Sequence, residues 1–168
     1  MKEPDLSAIN KIASYQVRRG DHPLSFDFIT NYGVRYNISF LYDDTLLEQE
    51  AYQLVIANVN HRPSPNDPKV RRTVLAIVET FFAINNTILL YLCETGDNKQ
   101  SLRSRLFERW FNTYNKRRYF TCMSSTVKDT EGVDNYVALI IRNDNPNFTE
   151  IINNYATTIQ FFTDKPQS

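Results

Sequence analysis

The segment CETGDNKQSLRSRLFERWF at positions 93–111 contains the residue most open to a chemical role. If its second half is a helix, Arg103 falls near the centre of a broad arc of apolar side chains, at about 100° per residue. Helical side chains lean toward the helix N-terminus, so its guanidinium would point toward the loop that contains Glu94 and Asp97. The spacing therefore predicts a cation beside two carboxylates, where a strand ends and a helix begins.

Two roles are open to this arginine. A partly buried guanidinium needs a partner, and Glu94 or Asp97 can supply a structural ion pair. Alternatively, Arg103, Glu94, Asp97 and Lys99 form a ligand-binding site, because the N–H groups at a helix N-terminus attract anions. The ion pair is the favoured interpretation, and the ligand site is the alternative.

The basic residues between positions 99 and 118 suggest a second kind of site. The interval holds seven basic residues and one acidic residue, with aromatic residues between them. This arrangement is typical of proteins that bind nucleic acid. The expected contacts to RNA or DNA would come from Arg105, Arg109, Lys116, Arg117 and Arg118. The competing and favoured interpretation is a solvated helix face and turn above a core of aromatic side chains.

Motifs with catalytic or metal-binding spacing fail on inspection. The acid-x-lysine fragment of metal-dependent nucleases occurs at 97–99 and again at 67–69, and both copies begin predicted helices instead of lying on strands. A phosphatase loop needs an arginine six positions after Cys93, where the chain has a lysine. His22 and His61 have no triad or zinc spacing. The sequence therefore predicts no catalytic residue, no metal and no cofactor, and it favours binding over catalysis.

The elements that must position these residues follow from periodicity. Alternating apolar residues predict a hairpin with strands at 24–28 and 34–40 around Asn31-Tyr32-Gly33, and a third strand at 52–59. Asp67 as N-cap and Pro68 as first residue predict a helix that continues to about residue 85.

Residues 87–93, TILLYLC, are apolar on both alternating sets, as in a strand that is covered on both faces. A helix at 98–114, strands at 119–127 and 135–141, and a helix from about Pro146 complete the chain. The order βββ-α-β-α-ββ-α predicts an α+β fold, in which about three helices cover a mostly antiparallel sheet of about six strands. The expected organisation is an N-terminal extension at 1–22 with room for one short helix, a single domain at 23–162, and a frayed tail at 163–168.

Composition limits the classes of function. The 168 residues are 42% hydrophobic, which is enough for one substantial core, and 19 basic residues balance 19 acidic ones. A net charge of zero gives no whole-protein field that favours nucleic acid, membranes or acidic ligands. The chain has no apolar run of about 18 residues, and its N-terminus lacks the apolar core of a signal peptide. We therefore expect a cytoplasmic protein without membrane association.

One stretch resembles a known family. The run RLFERWF at 105–111 follows the Leu90–Cys93 strand and the Glu79–Phe82 part of the earlier helix, and the whole is similar to a small bacterial domain family of unknown function over about residues 25–125. Such a resemblance implies an intact bacterial domain and no particular activity. We expect a binding module for a protein partner or a small anion. The alternative is a nucleic-acid-associated protein such as a toxin-like ribonuclease, and the oligomeric state stays open.

Overall fold

The computed structural model describes residues 2–93, 109, 119–128 and 131–163. The helix predicted at 98–114 therefore lies outside the described residues, apart from Arg109. The elements in chain order are α1 (Leu6–Ile12), β1 (Arg18–Arg19), β2 (Ser25–Ile29), β3 (Arg35–Asp43), β4 (Ala51–Asn58), α2 (Pro68–Ile84), β5 (Ile88–Cys93), β6 (Phe120–Lys128), β7 (Asp134–Arg142) and α3 (Phe148–Thr163).

The strands form one mostly antiparallel sheet in the order β1-β2-β3-β4-β5-β7-β6. The predicted α+β class is thus confirmed, with seven strands instead of about six. The additional strand is β1, which is two residues long and pairs with β2 through Arg18↔Asp27 and Arg19↔Phe26. Two charged residues are too few to produce a period-two pattern, so β1 could not be identified from the sequence.

The chain divides into two compact units, and residues 1–41 and 54–86 make up the first. Its strands alternate as the sequence predicts. Phe26 and Phe28 of β2 are buried, whereas the intervening Asp27 and the following Ile29 are exposed. The apolar face packs on α2, where the ring of Phe40 stacks on Phe81 with centroids 4.2 Å apart. The opposite face of these strands carries the polar and charged side chains.

Helix α2 has the ends that the sequence predicts. The side chain of Asp67 accepts a hydrogen bond from the Lys69 N–H at 3.0 Å, and Pro68 is the first helical residue. The helix ends at Ile84, and the N–H of the C-cap residue Asn85 donates to the Phe81 carbonyl at 3.0 Å. Asn85 also exchanges two hydrogen bonds with the backbone of Lys2, so the chain start is tied to the end of α2.

Tyr15 ties the N-terminal segment to the rest of the first unit. Its N–H donates to the hydroxyl of Thr73 at 3.0 Å, and its ring stacks against Phe28 at 6.0 Å between centroids. Its hydroxyl accepts a hydrogen bond from the Asn31 N–H at 3.3 Å and donates to Asp67. These contacts help to place β1, which begins three residues later, against β2.

The second unit consists of residues 42–53 and 87–168. Strand β7 lies between β5 and β6 and is antiparallel to both. Helix α3 packs on this sheet through Ile151 and Tyr155, which join a core that includes Leu90 and Leu139. The Tyr155 hydroxyl donates to the carbonyl of Val137 at 3.1 Å, so its one polar atom is satisfied inside the core.

Candidate anion-binding cleft

A cleft of about 460 Å³ lies in the first unit, beside the strands β1, β2 and β3. Arginines are the most numerous residue type in its lining. The lining residues are Gln16, Arg18, Arg19, Asp27, Phe28, Ile29, Arg35, Tyr36 and Val59.

Strand register brings the charged residues of the cleft together. Arg18 pairs with Asp27 across β1 and β2, and Asp27 pairs with Asn37 across β2 and β3. Two residues further along β2, Ile29 pairs with Arg35 of β3. Since side chains alternate between the faces of a sheet, all five lie on the face opposite the buried phenylalanines.

Arg19 serves a structural role at the edge of the cleft. Its guanidinium donates to the carbonyl of Pro23 at 2.8 Å and to that of Pro4 at 3.1 Å. The carboxylate of Glu3 is 3.8 Å away, and the Phe26 ring centroid lies 5.4 Å from its Cζ atom. Arg19 therefore fastens the N-terminal segment, and its charge is partly compensated.

Arg18 and Arg35 differ from Arg19. Both are exposed, and neither guanidinium makes a hydrogen bond or an ion pair with any residue that the structure describes. Exposed arginines in water gain little by themselves, but two of them beside a concave surface can converge on an anion. These two side chains are the groups in the cleft that are available to a ligand.

The carboxylate of Asp27 is held in place by its neighbours. The side-chain amide of Asn37 donates to Asp27 at 2.6 Å and to the Ser25 hydroxyl at 2.7 Å, and its carbonyl accepts from the Ser39 hydroxyl at 2.6 Å. This network fixes one negative charge next to Arg18. Although Arg18 is the cross-strand partner of Asp27, the two charges do not form an ion pair within the described part of the chain.

Two exposed aliphatic side chains flank Arg35. Ile29, its partner on β2, and Val59, just after β4, are each 53% exposed. The Val59 N–H donates to the Arg35 carbonyl at 2.8 Å, which sets Val59 on the other side of Arg35. The arginine thus has an apolar neighbour on either side.

The turn before β3 positions Arg35. Gly33 has φ of 75°, the left-handed conformation that glycine tolerates, as the predicted glycine turn requires. The side chain of Asn60 accepts from the Arg35 N–H at 3.0 Å and donates to the Gly33 carbonyl at 2.8 Å. A Cβ atom on Gly33 would lie 2.7 Å from Arg62 Nη1, so Arg62 covers this turn closely.

A second cavity lies at the start of α3 in the second unit. Its lining runs from Asn145 to Glu150 and includes Asn153, and Glu150 is its one charged residue. The described residues hold no group of three or more His, Cys, Asp or Glu side chains that could bind a metal ion. Of the two described cavities, the arginine-lined cleft has the more definite chemistry.

The residues singled out from the sequence lie almost entirely outside the described ranges. This applies to Arg103, Glu94, Asp97 and Lys99, and to Arg105, Lys116, Arg117 and Arg118. Arg109 is described, and it is helical and exposed. Both the ion pair of Arg103 and the basic surface stay predictions.

Sequence analysis did not identify Arg18, Asp27 and Arg35 as a group. Asp27 and Arg35 fall on the wet face of the predicted hairpin, and Arg18 belongs to an arginine doublet ahead of Gly20. Those signals were present in the sequence. Their meeting at one cleft depends on cross-strand register, which the pattern of one strand does not contain.

Comparison with known proteins gives a family but no activity. A family model described as a family of unknown function, DUF6169, matches residues 66–157, more than half of the chain. The chain belongs to this family. The match confirms the expected membership of a family without assigned function, whereas the cleft residues all precede residue 66.

Neither the curated proteins nor the solved structures contain a match to this chain. Among the described residues, no helix is long and apolar enough to cross a lipid bilayer.

Proposed function

We propose that this protein is a non-enzymatic, cytoplasmic binding module of a bacterium, and that its cleft binds a small anionic ligand through Arg18 and Arg35. The observation that carries the proposal is the placement of two exposed, unpaired guanidinium groups beside one cleft within the described residues. A guanidinium presents a planar fork of N–H donors that matches a carboxylate or phosphate group.

The size and lining of the cleft support binding of a small molecule. Its volume of about 460 Å³ lies within the range of about 300–1,000 Å³ that is typical of ligand pockets. None of its nine lining residues is a serine, cysteine, histidine or lysine. The lining thus offers charge recognition and apolar contact.

The predicted sites in the interval 94–118 remain a second proposal. Seven basic residues against one acidic residue between 99 and 118 support a contact with nucleic acid, and Arg109 is exposed. A ligand held by Arg103 would instead be a small anion near Glu94, Asp97 and Lys99. If the protein does not bind RNA or DNA even at low ionic strength, the nucleic-acid alternative is excluded.

Titration of the purified protein with acetate, hexanoate and inorganic phosphate tests the main proposal. Isothermal titration calorimetry at low ionic strength gives the affinities of the wild type and of Arg18→Gln, Arg35→Gln and Arg72→Gln. We expect Arg35→Gln to weaken binding about tenfold, since a hydrogen bond to a charged group contributes about 1.5–3 kcal/mol.

Arg72→Gln is the matched control because Arg72 is an exposed arginine on α2 outside the cleft. It removes the same charge and should leave the affinities unchanged. Equal affinities for the wild type, Arg18→Gln and Arg35→Gln would refute the assignment to this cleft, as would the absence of binding to all three anions.

A further inference from the structure

The charges that face the cleft add up to one positive charge once Arg19 is set against the neighbouring Glu3. Arg18 and Arg35 contribute two positive charges, and Asp27 contributes one negative charge. The third arginine, Arg19, has the carboxylate of Glu3 at 3.8 Å and two backbone acceptors. A ligand with a single negative charge would neutralise this site, whereas a dianion would leave an excess charge close to the fixed carboxylate of Asp27.

The two arginines occupy different surroundings. Arg18 and Arg35 lie two strands apart across the sheet and two residues apart along the strands. Standard strand spacings then give about 12 Å between their Cα atoms. Arg18 lies directly across from Asp27 in the sheet, so its charge is already partly compensated. Arg35 lies directly across from Ile29. Within the described strands, no directly paired carboxylate reduces the positive potential around Arg35.

The surface beside Arg35 is apolar. Ile29 and Val59 lie on its two sides and are each 53% exposed. An aliphatic group that covers these side chains would remove apolar surface from water, and a buried methylene contributes a factor of about four in affinity. A head group on Arg35 and a chain on its neighbours would fill adjacent parts of one cleft.

We infer that the ligand is a monocarboxylate with an aliphatic body, with its carboxylate on Arg35 and its aliphatic part on Ile29 and Val59. Asp27 acts as a selectivity residue that disfavours phosphate dianions. This inference rests on the proposed function, because it specifies which anion the cleft accepts.

Calorimetric titration at pH 8 with hexanoate, acetate and hexyl phosphate tests the inference. Hexyl phosphate is a dianion there, because the second pKa of a phosphate monoester is about 6. For the wild type we expect hexanoate to bind at least about tenfold more tightly than acetate, given the methylene contribution. We also expect hexanoate to bind more tightly than hexyl phosphate.

Two variants separate charge from apolar contact. Asp27→Asn should strengthen hexyl phosphate binding about fivefold more than hexanoate binding, because removal of a nearby negative charge helps the dianion most. Val59→Thr keeps the shape of an exposed side chain and should weaken hexanoate while leaving acetate unchanged. Val133→Thr, at a partly exposed valine of the second unit, is the matched control and should change neither affinity.

The outcomes distinguish the two proposals. If no probe binds the wild type, the proposed function and this inference both fail. If probes bind with a dependence on Arg35 but hexyl phosphate equals or exceeds hexanoate, the inference alone is overturned. Equal hexanoate affinity in Val59→Thr and the wild type would likewise overturn it. The comparison of the three probes uses the wild type alone, so it tests the inference even if a variant does not fold.

Discussion

The carboxylate of Asp67 binds the hydroxyl of Tyr15 through one oxygen and caps helix α2 through the other. Oδ1 accepts from the Lys69 N–H at 3.0 Å, and Oδ2 accepts from the Tyr15 hydroxyl. One side chain therefore ends the loop after β4 and holds the N-terminal segment that leads to β1. Since Arg18 belongs to β1, the geometry of the cleft depends on this contact.

Tyr15→Phe should lower the free energy of unfolding by about 1–2 kcal/mol, because the ring still packs but the Asp67 and Asn31 hydrogen bonds are lost. Urea denaturation followed by circular dichroism measures the change. Tyr32→Phe, at a tyrosine that is 57% exposed, is the control and should leave the stability unchanged. A loss of equal size in both variants would contradict the assigned role.

The hydroxyl of Tyr15 should also shape the alkaline stability of the protein. Burial, with a further contribution from Asp67, raises the pKa of Tyr15 above its ordinary value of 10.0. A raised folded-state pKa means that the contribution to stability is fully present below pH 10.0 and is lost as pH rises through the folded-state value. Unfolding free energies measured from pH 8 to 11 should therefore fall less steeply at the alkaline end in Tyr15→Phe than in the wild type.

Asp43 should make the stability of the protein depend on pH in the opposite direction, at acidic pH. Burial opposes its ionisation, but hydrogen bonds from Gln53, Thr45 and Leu46 outweigh burial and lower the pKa of Asp43. Its contribution to stability is present above the unfolded-state pKa and is lost as pH falls through the lowered folded-state value.

Asp43→Asn should accordingly cost about 1–2 kcal/mol of unfolding free energy at pH 7 and less at pH 3. Denaturant titrations at both pH values give the comparison. Asp44→Asn, at the exposed neighbour, is the control. A cost for Asp43→Asn that does not depend on pH would show that hydrogen-bond geometry alone, and not charge, accounts for the role of Asp43.

Gly33 and Gly132 provide a matched pair for the turn before β3. Both have positive φ, 75° and 78°, but a Cβ atom meets Arg62 Nη1 at 2.7 Å in the first and nothing within 4 Å in the second. Gly132→Ala should cost about 1–2 kcal/mol from backbone strain alone. Gly33→Ala should cost a similar amount, because the Arg62 guanidinium is the end of an exposed side chain and can move aside. It should also weaken anion binding, because Arg35 follows this turn, whereas Gly132→Ala should not. Urea denaturation compares the two costs, and a much larger cost for Gly33→Ala would show that Arg62 cannot move.

Arg35→Lys tests whether recognition in the cleft depends on the guanidinium fork. Lysine keeps the charge but offers a single ammonium group, so carboxylate affinity should fall between those of the wild type and Arg35→Gln. The calorimetric titration with hexanoate measures this order. An affinity of Arg35→Lys equal to that of the wild type would mean that charge alone attracts the ligand.

The sequence by itself determined the elements whose signals are local. Asp67 followed by Pro68 sets the start of α2, alternation sets β2 and β3, and Gly33 sets the turn between them. These features depend on backbone conformations and periodicities within a few residues, so one chain segment contains all the information. The resemblance to a family without assigned function could likewise be seen in the sequence, and it supplied no activity.

Only the tertiary structure decided which charged residues meet. The three charged residues of the cleft, Arg18, Asp27 and Arg35, come from three strands. Strand β1 is too short to produce a recognisable pattern in the sequence. Their proximity follows from strand pairing and from the hold of Asp67 on Tyr15, 52 residues apart in the chain. Such non-local contacts are selected by the free energy of the whole packed unit, and a local pattern of residue types does not specify them.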